Sequence, residues 1–197
     1  MITNVTGVVL AGGKSTRMGR NKALLPFQGR TLIETVVETM TSVFSRVLLS
    51  VHQPDAYPSL DLLKVVDRYP EIGPLGGITS VLESGQSRIL CVGCDMPFLN
   101  RDLIRNLCSF DSFDAVIPVW QERPQVLHAL YSQSLLPSFQ ASIRAGRYRI
   151  TDALEGTHFL YLFDLYSEGR SFQNLNTPAD YDQVLKRKGD ETTDEHK

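Results

Sequence analysis

Lys14, Arg17, Arg20 and Lys22 crowd one short stretch that also holds Gly12, Gly13 and Gly19, and the first acidic residue of the chain is Glu34. Glycines let backbone close on a ligand, because no Cβ stands in the way. Successive backbone N–H groups in such loops can cradle anions. Glycines and cations together are the chemistry of a polyphosphate site, and a nucleoside triphosphate is the expected guest. The spacing is neither G-x-x-x-x-G-K-[ST] nor G-x-G-x-x-G. A plain turn with a solvated basic loop would use the same residue types, so the reading needs partners elsewhere. Asp95, in Cys94-Asp95-Met96-Pro97, is one. Magnesium takes oxygen ligands, typically one or two carboxylates plus substrate phosphates, so Asp95 is the candidate metal ligand. Alone, it reads equally well as a turn cap. Asp67 can accept two N–H donors, as from a base edge, or serve as a turn aspartate.

The elements that must position these groups follow from pattern. Val5 to Leu10 is a short apolar run ended by glycine and reads as a buried strand. Ala23 to Phe27 reads as an extended piece turned by Gln28-Gly29. Thr31 and Glu34 form a capping box opening a helix whose buried face is Ile33, Val36, Val37, Met40 and Phe44. Further strands are expected over Arg46 to Val51, Leu62 to Val66, Arg88 to Gly93 and Ala115 to Val119. Helices are expected over Ile78 to Glu83 and after Asn100, the latter with Leu103, Ile104 and Leu107 inward. This alternation predicts an α/β sandwich with a mainly parallel sheet. In such sheets ligands bind outside the carboxyl ends of strands. The Gly12 loop, His52, Asp67 and Asp95 each follow a predicted strand, so they should converge on one edge.

The second half is less regular. Trp120 to Pro124 reads as a loop, Gln125 to Tyr131 as a returning strand and Leu135 to Ala145 as a helix. Thr151 can cap a short helix through Leu154, and His158 to Phe163 is strand-like. Thr177 and Pro178 suit the start of a final helix. One domain is expected over residues 1–187, followed by a disordered tail over 188–197, where no apolar residue occurs.

At 197 residues and net charge −2, the chain has material for a sizeable core and no global field to draw it to nucleic acid or membrane. Met1-Ile2-Thr3-Asn4 lacks the basic opening of a secretory signal, and no apolar run approaches the ~20 residues of a membrane span. Cys91 and Cys94 have C-x-x-C spacing, but they lie in or beside a strand and have no second pair for zinc. Reduced thiols and a cytoplasmic location are expected.

The string Leu10-Ala11-Gly12-Gly13-Lys14-Ser15-Thr16-Arg17-Met18-Gly19-Arg20-Asn21-Lys22 resembles the signature of GT-A type nucleotidyltransferases, and its Gly-Gly version resembles the molybdenum cofactor guanylyltransferases. Cys94-Asp95-Met96-Pro97 is similar to that family's C-D-x-P motif. Gly73-Pro74-Leu75-Gly76-Gly77 is similar to its G-P-L-A-G segment, with Gly76 in place of Ala. The resemblance implies a three-layer Rossmann-like α/β/α sandwich with a mainly parallel, mixed sheet. It implies transfer of GMP from GTP to molybdenum-bound molybdopterin, with Mg²⁺ on Asp95. Lys22 and Arg17 would then act on the triphosphate. Leu10, Ala11, Gly12, Gly13, Asp67 and Gly76 would contact the nucleotide. His52 stands where these enzymes usually have Asn. Arg123-Pro124-Gln125 with His128 resembles the region on the pterin side, and Arg147, Arg149, Asn174 and Asn176 complete its polar set, with Asn176 a second possible metal ligand. Transient contact with molybdenum insertion or molybdoenzyme maturation proteins would be implied. A CTP or sugar-phosphate transferase on the same scaffold, or a non-catalytic nucleotide or pterin carrier, are the alternatives. The cytidylyl relatives resemble L-A-A-G at the first loop, which favours guanine here.

Overall fold

The structure is a computed structural model and describes residues 1–12, 21–163, 166–175 and 180–181. Its centre is an eight-stranded mixed sheet. In chain order the strands are β1 (Thr6–Leu10), β4 (Val47–Val51), β5 (Leu63–Val66), β6 (Arg88–Gly93), β7 (Ala115–Trp120), β8 (Arg123–Pro124), β9 (His128–Ser132) and β10 (Phe159–Leu162). A small separate hairpin pairs β2 (Pro26–Phe27) with β3 (Arg30–Thr31). Spatial order is β10-β7-β9-β6-β1-β4-β5, with β8 paired to β7. The run β6-β1-β4-β5 is parallel, and β9 enters antiparallel between β6 and β7.

Helices cover both faces. α1 (Leu32–Val43) and α3 (Arg101–Cys108) lie on one, where Ile33, Met40, Phe44, Ile104 and Leu107 meet Val9, Leu49 and Val92. α2 (Pro74–Glu83), α4 (Leu136–Arg144) and α5 (Ile150–Ala153) lie on the other, where Leu75, Ile78, Phe139 and Ile150 meet Val8, Leu48 and Cys91. Successive residues of β1 therefore face opposite cores, as a two-sided parallel strand requires. Burying Leu, Ile, Val and Phe side chains stabilises each layer by about 1.5–3 kcal/mol per side chain.

The local signals explain the element starts. Thr31 and Glu34 form the expected capping box, Glu34 Oε2 accepting from the Thr31 N–H at 2.7 Å. The Asn100 side chain accepts from the Asp102 and Leu103 N–H groups and starts α3. Three expectations change. Ala23 to Phe27 is not wholly extended: a 3₁₀ turn, Lys22–Leu24, precedes β2, because Asn21 Oδ1 takes the Ala23 N–H. The Trp120 to Pro124 stretch is a tight hairpin, with Gln121 and Glu122 both at positive φ (48° and 61°). Thr151 does not cap α5; its hydroxyl binds Asp152, and Arg149 holds the cap position without a side-chain bond. The Thr177 helix start and most of the expected tail lie outside the described residues.

Candidate functional site

The parallel strands end in one row. Beyond them the ladder continues by one bond each: Ala11 N–H donates to Ser50 O at 2.9 Å, Asp67 N–H to Val51 O at 2.8 Å and Cys94 N–H to Leu10 O at 3.2 Å. That registration carries Gly12, Asp67 and Asp95 to one cavity of about 150 Å³, which Leu10, Lys22, Ser50 and Gly77 also line. The convergence expected from strand ends holds for Gly12, Asp67 and Asp95, whereas His52 lines a neighbouring cavity with Ala11 and Tyr57.

Lys22 enters from the 3₁₀ turn that Asn21 caps. Its Nζ donates to Asp95 Oδ2 at 2.5 Å. Both side chains are largely buried, at 24% and 11% exposure, so the pair interacts more strongly than a surface ion pair would. Asp95 needs the glycine before it: a Cβ on Gly93 would stand 2.6 Å from Asp95 Oδ1. The Asp95 carbonyl accepts the Leu175 N–H at 3.0 Å, which brings the segment ending at Leu175 beside the metal candidate. Next door, Asn174 Oδ1 is buried without a hydrogen-bond partner among the described residues. No group of three or more His, Cys, Asp or Glu gathers among those residues. A carboxylate and an amide oxygen are hard donors, the kind magnesium accepts while keeping waters and substrate phosphates as its other ligands.

Asp67 is held from one side. Its Oδ1 accepts from Tyr69 N–H at 2.8 Å and from Ser80 Oγ at 3.1 Å. Ser80 Oγ in turn accepts the Arg68 N–H at 2.9 Å. The other oxygen, Oδ2, lies 3.9 Å from His52 Nδ1, which is buried and takes no hydrogen-bond partner among the described residues. His52 also lies over Gly12, where an added Cβ would come 3.3 Å from Nδ1. Gly77, rather than Gly76, lines the cavity. Gly76 is demanded by packing, since a Cβ there would meet the Tyr69 carbonyl oxygen at 2.5 Å.

The second half builds a separate, polar cavity of about 730 Å³, lined by Trp120, Arg123, Gln125, Arg170, Phe172 and Asn174 among others. Arg123, Pro124, Gln125 and Asn174 thus come together as expected. Arg147 and Arg149 line neither cavity. His128 is fully buried in β9, edge-on to Phe172, and neither ring nitrogen meets a partner in good hydrogen-bond geometry among the described residues. Burial drives its pKa down to about 4, a backbone group of Ser171 pulling the other way, so it is a neutral core residue, and it lines neither cavity. Cys91 and Cys94 are free and buried, and burial pushes the Cys94 thiol up to about 12. Gly13, Arg17 and Asn176 lie outside the described residues.

Ser80, Tyr57, Trp120 and Arg170 were not singled out from sequence. Ser80 sits one helical turn after Gly76, a spacing that could have paired it with Asp67 once a helix start at Pro74 was placed. The other three carry no local signal. The guanidinium of Arg170, for instance, is set by stacking over the Phe98 ring at 4.5 Å, a contact distant in sequence.

A family model described as the MobA-like NTP transferase domain matches residues 7–158. Among curated relatives, a probable molybdenum cofactor guanylyltransferase from Carboxydothermus hydrogenoformans is 32% identical over 190 residues, covering 93% of this chain and 96% of that protein. One of the same description from Methanosarcina mazei is also 32% identical, covering 91% of this chain and 89% of that protein. Among solved structures, molybdopterin-guanine dinucleotide biosynthesis protein A from Archaeoglobus fulgidus superposes with a TM-score of 0.82 at 23% identity, covering 94% of this chain and all of that one. At that identity the likeness speaks for the fold.

Proposed function

The chain belongs to the MobA-like NTP transferase family and is a nucleotidyltransferase, and from that premise we propose that it moves GMP from GTP onto molybdenum-bound molybdopterin, releasing pyrophosphate. The observation that carries this is the convergence of Gly12, Lys22, Asp67 and Asp95 on one cavity, with a second polar cavity lined by Asn174, whose neighbour Leu175 bonds the Asp95 carbonyl. An oxygen of the pterin phosphate forms the new bond to the α-phosphorus of GTP, and the bond from that phosphorus to the bridging oxygen of the leaving pyrophosphate breaks. A phosphate nucleophile is already ionised near pH 7, so no general base is required. What remains is positioning and charge stabilisation.

Each residue has a task in this reading. Asp95 and the Asn174 amide oxygen would hold Mg²⁺, which when bound supplies charge neutralisation at the phosphates. Lys22 shields Asp95 in the free protein and turns to the triphosphate when nucleotide enters. Gly12 and Gly77 leave room for nucleotide against the backbone. Asp67, with Oδ1 already committed, offers Oδ2 to a donor of the base or sugar, and His52 Nδ1 faces the same place, in the position of the Asn found in similar enzymes. Arg123 and Arg170 supply cations to the larger cavity, suited to the pterin phosphate. Gly13, Arg17 and Asn176 are assigned to the triphosphate and metal by resemblance. Residues 1–187 would form one catalytic unit, and proteolysis trimming only 188–197 would support this. No described helix is long and apolar enough to cross a membrane.

The experiment is a thermal-shift series with GTP, CTP and ATP in Mg²⁺, followed by pyrophosphate release with molybdenum-loaded molybdopterin. GTP should stabilise most, and Asp95→Asn should lower kcat by about 10²–10³. Stabilisation by CTP alone would replace guanylyl with cytidylyl transfer. Unchanged turnover in Asp95→Asn would remove the metal role.

A further inference from the structure

Tyr57 belongs to the loop between β4 and β5, and its side chain is buried at 8% exposure. Its hydroxyl donates to the Ala11 carbonyl at 3.2 Å and accepts from Asn21 Nδ2 at 3.1 Å. Asn21 Oδ1 takes the Ala23 N–H and also lies 3.3 Å from the phenol oxygen, so the single hydroxyl proton is shared between the Ala11 carbonyl and that amide oxygen while Asn21 Nδ2 donates to the phenol. One oxygen thus joins Ala11 and Asn21, residues on either side of the basic segment in the sequence. Ala11 is tied to β4 through Ser50. Asn21 starts the turn that presents Lys22 to Asp95. The backbone of Tyr57 is at φ 51°, a conformation a bulky L-residue adopts at a cost of about 1–3 kcal/mol, one that persists where the surroundings over-determine it. Burial raises the phenol pKa, which keeps the hydroxyl protonated and able to donate.

We propose that Tyr57 is a positioning residue of the nucleotide site: its hydroxyl clamps Ala11 to Asn21 and so sets the distance between the Gly12 backbone and the Lys22 ammonium. Tyr57 touches no reacting atom. It acts through Asn21 and the 3₁₀ turn on Lys22, and through Ala11 on Gly12. The kinetic part rests on the nucleotide reading above; the clamp itself does not.

The test compares Tyr57→Phe, Asn21→Ala and the double variant, all retaining the buried ring or its phenyl core. Amide hydrogen exchange by NMR is read at Gly12, Lys22 and Ala23 in nucleotide-free protein, with Val8 and Val9 as core controls. In Tyr57→Phe the three amides should exchange at least fivefold faster while the controls stay unchanged. The KM for Mg²⁺·GTP should rise about tenfold, the loss of two hydrogen bonds, with the KM for the pterin substrate within twofold. The double variant should fall short of the product of the single effects, because both remove the Tyr57–Asn21 link, although Asn21→Ala also removes the Ala23 cap and Tyr57→Phe the Ala11 bond. Unchanged exchange with an unchanged KM for GTP, or single effects that multiply, would overturn the clamp. If the parent binds none of GTP, CTP or ATP, the nucleotide reading fails, while the exchange comparison still decides the clamp.

Discussion

Gly76→Ala would give this chain the alanine of the G-P-L-A-G segment that it resembles, yet it should destabilise this fold. The third position of α2 is a good place for alanine on propensity grounds, a gain of about 1 kcal/mol. Against that, the new Cβ would stand 2.5 Å from the Tyr69 carbonyl oxygen, 2.9 Å from Tyr69 Cβ and 3.0 Å from Ile72 Cγ1. Ordinary contact begins near 3.4 Å, so Cβ and carbonyl must part by about 0.9 Å. The obstacle is backbone, and that carbonyl already accepts the Ile72 N–H at 3.2 Å, so it cannot retreat freely. Overpacking costs about 1–3 kcal/mol, and a backbone obstacle at 2.5 Å puts this case in the upper part of that range, about 2–3 kcal/mol, leaving a net loss of about 1–2 kcal/mol. For a chain of this length the melting temperature should fall by about 2–8 °C. The strain also reaches the site, because the Tyr69 N–H holds Asp67 Oδ1. Differential scanning calorimetry and GTP titration read both effects. Gly77→Ala is the contrast: its Cβ would meet a rotatable hydroxyl, Ser50 Oγ, at 2.9 Å and approach Asp67 Oδ2 at 4.0 Å. It should weaken GTP binding more than it lowers melting. A Gly76→Ala protein that melts at or above the parent temperature would refute the packing argument.

Lys22→Met removes the ammonium that neutralises Asp95. Its kcat/KM should drop by about 10²–10³, and added Mg²⁺ should raise its melting temperature more than the parent's. Equal Mg²⁺ responses would count against a shared place for ammonium and cation. His128 governs an acid-side stability change. Its pKa is lowered from 6.5 to about 4 in the fold, so its contribution is present above the unfolded value and is lost as pH falls through that window. The full loss is about 3 kcal/mol. His128→Leu should flatten urea-unfolding free energy between those pH values relative to the parent, and identical slopes would show that another group carries it. Cys94, pushed up to about 12, and the still higher Cys91 should resist a thiol reagent at pH 8 in the folded protein and react on unfolding. Fast labelling of Cys94 without unfolding would contradict its burial.

Signals acting over a few residues were legible in the chain itself. The Thr31–Glu34 box, the Asn100 cap and the apolar run closed by Gly12 each depend on neighbours in sequence, and each appears where expected. The alternation of strand and helix was enough to put His52, Asp67 and Asp95 after strand ends, and parallel pairing then brings such ends to one edge. Resemblance added chemistry that pattern could not supply. Folding decided the rest, because it depends on sheet order and on contacts far apart in sequence. Lys22 meets Asp95 across 73 residues only because β6 pairs with β1. The insertion of β9 between β6 and β7 buries His128, and no periodicity announces that order. Gly76 and Gly77 are indistinguishable as letters. Helix phase turns one into the Tyr69 backbone and the other into the cavity, a difference of one residue and about 100° of rotation. Residue types and spacing determined which chemistry this chain could carry, and tertiary packing determined which atoms face one another to perform it.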